Sequence, residues 1–211
     1  MSPLLIYYYI LLLVCALTGS ILLRRSWAFW AKLLVVLAWV TQVAELLAFF
    51  AMIRRVDIYI YYSLWVFLET LTLLYALSRG TTLPWVKRLH MILMAVLPPG
   101  MVLYFILKPV FAYLGLFFLF LELMAAGAVL IDILADVSDI PMQRKPIFWL
   151  ATGMLFYCSL YIVVFSLGQL LNTLPHDDFM PFGCLANTFM YGGFIACFVT
   201  LRRQASRVLE E

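Results

Sequence analysis

The chain has 211 residues, of which 66% are hydrophobic, 17% aromatic and only 12% charged, with a formal net charge of +3 at pH 7. A soluble domain of this length is about half apolar and about a quarter charged, because surface-to-volume scaling leaves much of a small fold exposed to water. The composition therefore excludes a soluble enzyme, a disordered chain, a nucleic-acid-binding protein and a disulfide scaffold. It predicts an integral protein of the lipid bilayer.

Seven stretches are apolar and long enough to span a bilayer as helices, which takes about 20 residues each. In chain order they cover residues 3–23, 30–52, 58–78, 89–107, 110–135, 147–171 and 182–201. The weakest boundary is Lys108-Pro109, where the proline suits the first turn of a new helix. Pro98 and Pro99 are expected to kink or break the fourth span. We predict an all-α polytopic membrane protein, a seven-transmembrane-helix bundle formed by residues 1–201, followed by a short basic cytoplasmic tail at residues 202–211.

Lysine and arginine residues are distributed unequally between the two sides of the predicted bundle. Of the 14 in the sequence, only Arg54, Arg55 and Lys108 lie on the side that holds the N-terminus. Since basic residues accumulate on the cytoplasmic side of membrane proteins, we expect the N-terminus outside and the C-terminus in the cytoplasm. The expected location is the plasma membrane, or the inner membrane if the source is bacterial.

The sequence contains no recognisable catalytic, metal-binding or cofactor-binding motif. Walker A, dinucleotide-binding, His-Glu-x-x-His and Cys-x-x-Cys patterns are absent, and no Ser/His or His/Asp constellation lies at one depth. The two histidines, His90 and His176, fall at opposite faces of the predicted bundle and so do not share a metal. We therefore predict a protein that is not an enzyme, with no catalytic residue, no metal site and no cofactor.

Three glutamates lie inside predicted spans, where a charge costs several kcal/mol. Glu69 and Glu122 are near the middle of spans three and five, and Glu45 lies somewhat outward of the middle of span two. No Lys or Arg occurs in the central part of any span. Three explanations are open: the acids are neutral, they bind a cation, an amine or protons in transit, or they face a partner subunit. Asp132, near the inner end of span five, is expected to reach the headgroup layer.

Helical spacing places further polar and aromatic side chains beside these acids. Residues three, four or seven apart share one face of a helix, and a carboxylate beside aromatic rings attracts a cationic ligand through its charge and through cation–π attraction. Small and polar side chains also mark ordinary helix–helix contacts in membranes, so a structural role is the alternative. The candidate ligand- or proton-binding residues are Glu45, Glu69, Glu122, Gln42, Trp65, Tyr62 and Asn187.

The favoured function is that of a sensor or receptor-like protein. The bundle would bind a small molecule or a lipid and act through a partner protein on the cytoplasmic face or in the membrane, because short inner connections with a basic rim suit docking. Two alternatives stay open. A proton-coupled or cation transporter would use the intramembrane glutamates as a relay, and a non-catalytic subunit of a larger membrane complex would turn them towards a partner's basic residues.

Overall fold

The computed structural model describes residues 3–23, 28–54, 59–106, 111–136, 140–171 and 176–208. Over these residues the chain forms seven α-helices and one short 3-10 helix, and no strand. In chain order the helices are α1 (Pro3–Leu22), α2 (Phe29–Ile53), α3 (Tyr59–Arg79), α4 (Pro84–Ile106), α5 (Phe111–Ala135), the 3-10 helix Met142–Arg144, α6 (Pro146–Leu171) and α7 (His176–Val208).

Five helices, α1, α2, α5, α6 and α7, contain a stretch that is long and apolar enough to cross a membrane. Large apolar side chains cover the outside of the bundle, and Ile21, Phe29 and Leu134 are among the most exposed. A surface of this kind is stable against hydrocarbon and not against water. The predicted all-helical fold is confirmed, and the apolar helices agree with a membrane protein.

Several details differ from the predicted spans. Helix α4 begins at Pro84, earlier than predicted, because proline suits the first helical turn. Pro98 and Pro99 do not break α4, which is helical through both. Helix α7 extends past both ends of the predicted span 182–201, so the helix continues into the predicted tail. The Lys108-Pro109 boundary lies outside the described residues.

The helices form a ring with α3 nearest its centre. Each helix packs against the next in the chain, α7 packs against α1, and α3 also contacts α5 and α6. Since short connections join consecutive helices, neighbours run antiparallel and the bundle has two ends. We call the end with the α1–α2, α3–α4 and α5–α6 connections the basic end, and the other the opposite end.

Asp132 attaches the α3–α4 connection to α5. Its carboxyl group accepts hydrogen bonds from the backbone N–H groups of Thr82 and Leu83, both at 2.8 Å, and from the Thr82 hydroxyl at 2.9 Å. These N–H groups come just before the first turn of α4, where a helix leaves its donors unpaired. Asp132 is only 2% exposed. The expectation that it reaches the headgroup layer is therefore wrong, because the neighbouring connection supplies its partners.

A close helix crossing joins α6 and α7. A Cβ atom at Gly153 would lie 2.7 Å from the Phe189 carbonyl oxygen and 3.0 Å from Cα of Gly193, and a Cβ atom at Gly193 would lie 2.7 Å from the Trp149 carbonyl oxygen. Small residues permit this approach of two backbones in membrane proteins. Glycine at both positions therefore sets the distance between α6 and α7.

We predict that Gly193→Ala destabilises the protein by about 1–3 kcal/mol, the usual cost of overpacking, because the added Cβ meets backbone atoms that have no rotamer to change. Gly192→Ala is the matched control, since its Cβ would have no neighbour within 4 Å. Thermal unfolding in detergent micelles, followed by circular dichroism, measures both. Equal melting temperatures for the two variants would contradict the close crossing.

We predict that Asp132→Ala costs about 1–3 kcal/mol, because it leaves two backbone N–H groups and a hydroxyl without their acceptor. Asp136→Ala is the control: its carboxyl forms an ion pair with Lys145 at the protein surface, and such pairs contribute at most about 1 kcal/mol. Denaturant unfolding gives the two losses. Hydrogen exchange should accelerate at the Thr82 and Leu83 amides in Asp132→Ala alone, and unchanged exchange there would contradict the cap.

Candidate functional site

The three predicted acids belong to one electrostatically coupled group inside the bundle. Glu69 of α3 interacts electrostatically with Glu122 of α5 and with Glu45 of α2. Glu69 is 6% exposed and Glu122 is 4% exposed, whereas Glu45 is partly buried. Because α3 lies nearest the centre of the ring, the Glu69 carboxyl group can interact with acids on two different helices, α2 and α5.

Glu122 receives hydrogen bonds from two other helices. The Thr70 hydroxyl on α3 donates to its Oε1 atom at 2.6 Å, and the Cys158 thiol on α6 donates to its Oε2 atom at 3.6 Å. Thr70 directly follows Glu69 in the sequence, so the helix that carries one acid supplies a donor to the next. Both carboxyl oxygens of Glu122 therefore have a partner.

Glu45 is connected to α1 through two consecutive tyrosines. The Tyr8 hydroxyl donates to its Oε1 atom at 3.1 Å, and the Tyr9 hydroxyl donates to its backbone carbonyl oxygen at 3.3 Å. These bonds attach both the side chain and the backbone of Glu45 to α1. The outer of the three acids is therefore fixed by the first helix.

Glu69 differs from the other two acids. Over the described parts of the chain, no hydrogen bond is donated to its carboxyl group, although the side chain is buried. Burying a polar group without a hydrogen-bond partner is costly. Glu69 is thus the acid of this group to which the described residues donate no hydrogen bond.

Four tyrosines interact with the acids, Tyr8 through its hydrogen bond to Glu45 and the other three electrostatically. Tyr157 lies within electrostatic range of Glu69 and Glu122, and Tyr161 and Tyr191 lie within range of Glu69 and Glu45. The ring centroids of Tyr157 and Tyr161 are 4.8 Å apart, and those of Tyr8 and Tyr191 are 6.3 Å apart. We call these seven residues the acid–tyrosine cluster: Glu45, Glu69, Glu122, Tyr8, Tyr157, Tyr161 and Tyr191.

Two of the other predicted site residues have clear positions. Asn187 of α7 donates from Nδ2 to the Tyr161 hydroxyl at 3.2 Å and to the Gly183 carbonyl oxygen at 2.9 Å, so it contacts the edge of the cluster. Gln42 of α2 has a buried Oε1 atom with no hydrogen-bond partner in the described portion of the bundle.

The predicted aromatic neighbours of Glu69 on its own helix are described only in part. Trp65 is partly buried one turn before Glu69, and the side chain of Tyr62 lies outside the described residues. The phenol groups of Tyr157 on α6 and Tyr191 on α7 also interact electrostatically with Glu69. Sequence spacing identifies neighbours on one helix, whereas these contacts depend on how different helices are rotated.

The sequence prediction missed the cluster tyrosines, together with Thr70 and Cys158. A signal for three of the tyrosines was present. Tyr157 and Tyr161 lie one turn apart in the interior of predicted span six, and Tyr191 lies in the interior of span seven. Tyrosines in membrane proteins are enriched at the two interfaces, so interior ones indicate buried contacts.

An apolar layer separates the cluster from the basic end. On each helix that contributes to the cluster, buried apolar residues lie between the cluster residue and the basic end. They include Leu12, Leu34, Leu73, Leu77, Val129, Met154, Phe194 and Phe198, all 0–1% exposed. Close-packed side chains leave few voids that hold water, so this layer isolates the acids from the basic end.

The polar chemistry of the cluster consists of carboxyl, phenol and thiol groups. Over the described residues, no three or more His, Cys, Asp and Glu side chains are placed to hold a metal ion. In comparisons with known proteins, no family model matches the chain, and neither the curated proteins nor the solved structures contain a match. Carboxyl groups beside tyrosine rings are suited to binding protons or cations.

We predict that Thr70→Val costs about 1 kcal/mol, in the range of single hydrogen bonds inside membrane proteins, because Glu122 loses its hydroxyl donor. Thr152→Val is the matched control, since the Thr152 Oγ1 atom is buried and has no partner within the described segments. Removing that hydroxyl should leave stability unchanged or raise it. Reversible unfolding in mixed micelles compares the two, and equal losses would contradict the Thr70–Glu122 bond.

Proposed function

We propose that the chain is a seven-span protein of the plasma membrane, or of the inner membrane if bacterial, with its N-terminus outside and its C-terminus in the cytoplasm. Five apolar helices support membrane insertion, and membership of α3 and α4 in the same ring supports the other two spans. The concentration of basic residues at one end supports the orientation.

Within this topology, we propose a receptor-like protein that binds a small molecule at the acid–tyrosine cluster and acts through a partner protein. The observation that carries the proposal is Glu69, which is buried on the central helix without a hydrogen-bond donor from the described residues. A polar group in this situation is costly, and ionisable residues inside membrane proteins are functional by default. A bound ligand that pairs with the Glu69 carboxyl group would offset the free-energy cost of burying it.

The basic end offers an ordered surface for the partner. Trp149 Nε1 donates to the Gln143 carbonyl oxygen and Gln204 Nε2 donates to the Arg144 carbonyl oxygen, both at 2.9 Å. These bonds attach the 3-10 turn to α6 and α7, which also carry cluster tyrosines. A ligand that shifts either helix would therefore also shift the surface that a partner contacts.

Two features favour this function over the alternatives. A transporter requires a route for its ion through the apolar layer, whose side chains are fully buried. A subunit that pairs its glutamates with a partner's basic residues requires outward-facing acids, whereas Glu69 and Glu122 lie inside the bundle. A ligand site that is closed towards the basic end is consistent with both features.

A thermal-shift screen of small molecules against the protein in lipid nanodiscs tests the proposal. A ligand present at about 100 times its Kd should stabilise the wild type by about 2.7 kcal/mol, and should not stabilise Glu69→Gln. Asp136→Asn, an acid exchange at the exposed basic end, should respond like the wild type. The proposal fails if no molecule stabilises the wild type, or if reconstituted vesicles show proton or cation flux that Glu69→Gln abolishes.

A further inference from the structure

We propose that a cavity at the α5–α6 connection holds the headgroup of a zwitterionic phospholipid, with Lys145 binding the lipid phosphate and Asp136 binding its primary ammonium group. The site lies at the basic end, and the apolar layer separates it from the acid–tyrosine cluster. It requires only that α5 and α6 span a bilayer. The depth of the cavity, the two charges in its wall and the apolar surface beside it point to this ligand.

The cavity lies where two apolar spans end. It has a volume of about 300 Å³ and is lined from residues 133–136 and 140–145, which are the last turn of α5 and the connection to α6. This volume is at the lower end of the range for small-molecule sites. The membrane-spanning stretch of α5 ends at Ala135, and that of α6 begins at Pro146. The cavity is therefore at the level where hydrocarbon gives way to lipid headgroups.

The wall of the cavity is ordered by the protein itself. The Lys145 N–H group donates to the Met142 carbonyl oxygen at 2.9 Å and closes the 3-10 turn. Trp149 of α6 and Gln204 of α7 attach this turn to the bundle through hydrogen bonds of 2.9 Å. Tryptophan is enriched at the depth of the headgroups, which agrees with the level of the cavity. A wall that is ordered before the ligand binds loses little conformational entropy on binding.

One positive and one negative side chain lie in the cavity wall. The Nζ atom of Lys145 is 2.5 Å from the Oδ2 atom of Asp136, and the two side chains are 15% and 31% exposed, respectively. An ammonium group has three donors and a carboxylate has about four acceptor sites, so this one contact does not use the full capacity of either group. A zwitterionic headgroup presents a phosphate to Lys145 and an ammonium group to Asp136, so each charge meets its opposite.

The balanced charge of the wall favours a zwitterion over an anionic headgroup. In an anionic lipid nothing offsets the repulsion between the phosphate and Asp136, whereas the ammonium group of a zwitterion is attracted to it. The neighbouring Arg144 does not line the cavity. A primary ammonium group also donates charge-assisted hydrogen bonds to a carboxylate, which a quaternary choline group cannot do. Phosphatidylethanolamine is the lipid class with these properties.

An apolar stripe continues from the cavity along the outside of α5. Its residues are three, four or seven apart, so they share one face of the helix, and all are 36–70% exposed: Phe117, Phe120, Met124, Ile131 and Leu134. Leu134 also lines the cavity. From Leu134 to Met124 the helix rises about 15 Å, which is half of the hydrocarbon core of about 30 Å. An acyl chain can thus lie along the stripe within one leaflet while its headgroup occupies the cavity.

The first test needs no variant. The protein is reconstituted in nanodiscs with equal amounts of phosphatidylethanolamine, phosphatidylcholine and phosphatidylglycerol that carry identical acyl chains, and native mass spectrometry counts the lipids that stay bound on release. We expect phosphatidylethanolamine to exceed each of the others about threefold or more, an effect within the range of one partly exposed ion pair. Equal retention of the three, or a preference for either of the others, overturns the inference.

A soluble competitor distinguishes a lipid from a free phosphate compound. Glycerophosphoethanolamine has the same headgroup without acyl chains. It should not displace the bound lipid, because acyl CH₂ groups buried against the stripe add affinity. Displacement at a concentration equal to that of the lipid would overturn the assignment to a membrane lipid.

The last test assigns the residues. Lys145→Gln should lower the amount of retained phosphatidylethanolamine about threefold or more, because the phosphate loses its counter-ion. Asp136→Asn should lower the ratio of phosphatidylethanolamine to phosphatidylglycerol by a similar factor, because it removes both an attraction and a repulsion. Lys87→Gln, at an exposed lysine of α4 near the same end, is the matched control and should keep the wild-type amount and ratio.

Equal lipid retention by Lys145→Gln and Lys87→Gln, or an unchanged ratio in Asp136→Asn, overturns the assignment. Circular dichroism in the same nanodiscs verifies the fold of each variant, and the wild-type comparison of the three lipids decides the inference without any variant. None of these substitutions lies in the acid–tyrosine cluster. Failure of the lipid site therefore leaves the proposed function intact, and failure of the proposed function leaves the lipid site intact.

Discussion

A carboxyl group inside a lipid-embedded helix bundle has to find its partners within the protein, because hydrocarbon supplies neither water nor counter-ions. Much of the packing follows from this constraint. Asp132 accepts three hydrogen bonds from the α3–α4 connection, and Glu122 accepts bonds from α3 and α6. Each acid thereby joins helices that apolar contacts alone would hold with less definite rotation, since lipid competes equally well for apolar surface.

Helix α3 carries the carboxyl group for which the described residues supply the fewest partners. It lies nearest the centre of the ring and carries both Thr70, which donates to the acid of another helix, and Glu69, whose own carboxyl receives no donor from the described residues. Adjacent positions on one helix point in different directions, about 100° apart at 3.6 residues per turn. The same turn of α3 thus donates a hydrogen bond to one acid and carries another acid that receives none from the described residues.

Composition is sufficient to predict the all-helical membrane fold. The cost of placing a charge in lipid is sufficient to pick out Glu69 and Glu122 as unusual acids, and both are buried inside the bundle. Their partners depend on helix rotation and packing, which the sequence does not encode locally, so the approach of Tyr157 and Tyr191 from other helices was not predicted. Depth in the span alone predicts that Asp132 reaches the headgroup layer. Its hydrogen-bond donors lie instead in the α3–α4 connection, which depth does not reveal. Local propensity predicts that Pro98 and Pro99 kink or break the fourth span; α4 is helical through both, so the break is wrong, and both prolines lie on the exposed outer surface of the bundle.

Helix α7 has 33 residues, which at 1.5 Å per residue is about 50 Å, against about 30 Å for the hydrocarbon core of a bilayer. One continuous rod therefore carries Tyr191 among the buried acids and Arg202 and Arg203 outside the apolar region. The backbone hydrogen bonds of α7 thus run without a break from Tyr191 to both arginines. The close crossing with Gly153 of α6 lies at Gly193, between Tyr191 and the arginines, so any displacement of α7 at that point has to be accommodated by α6.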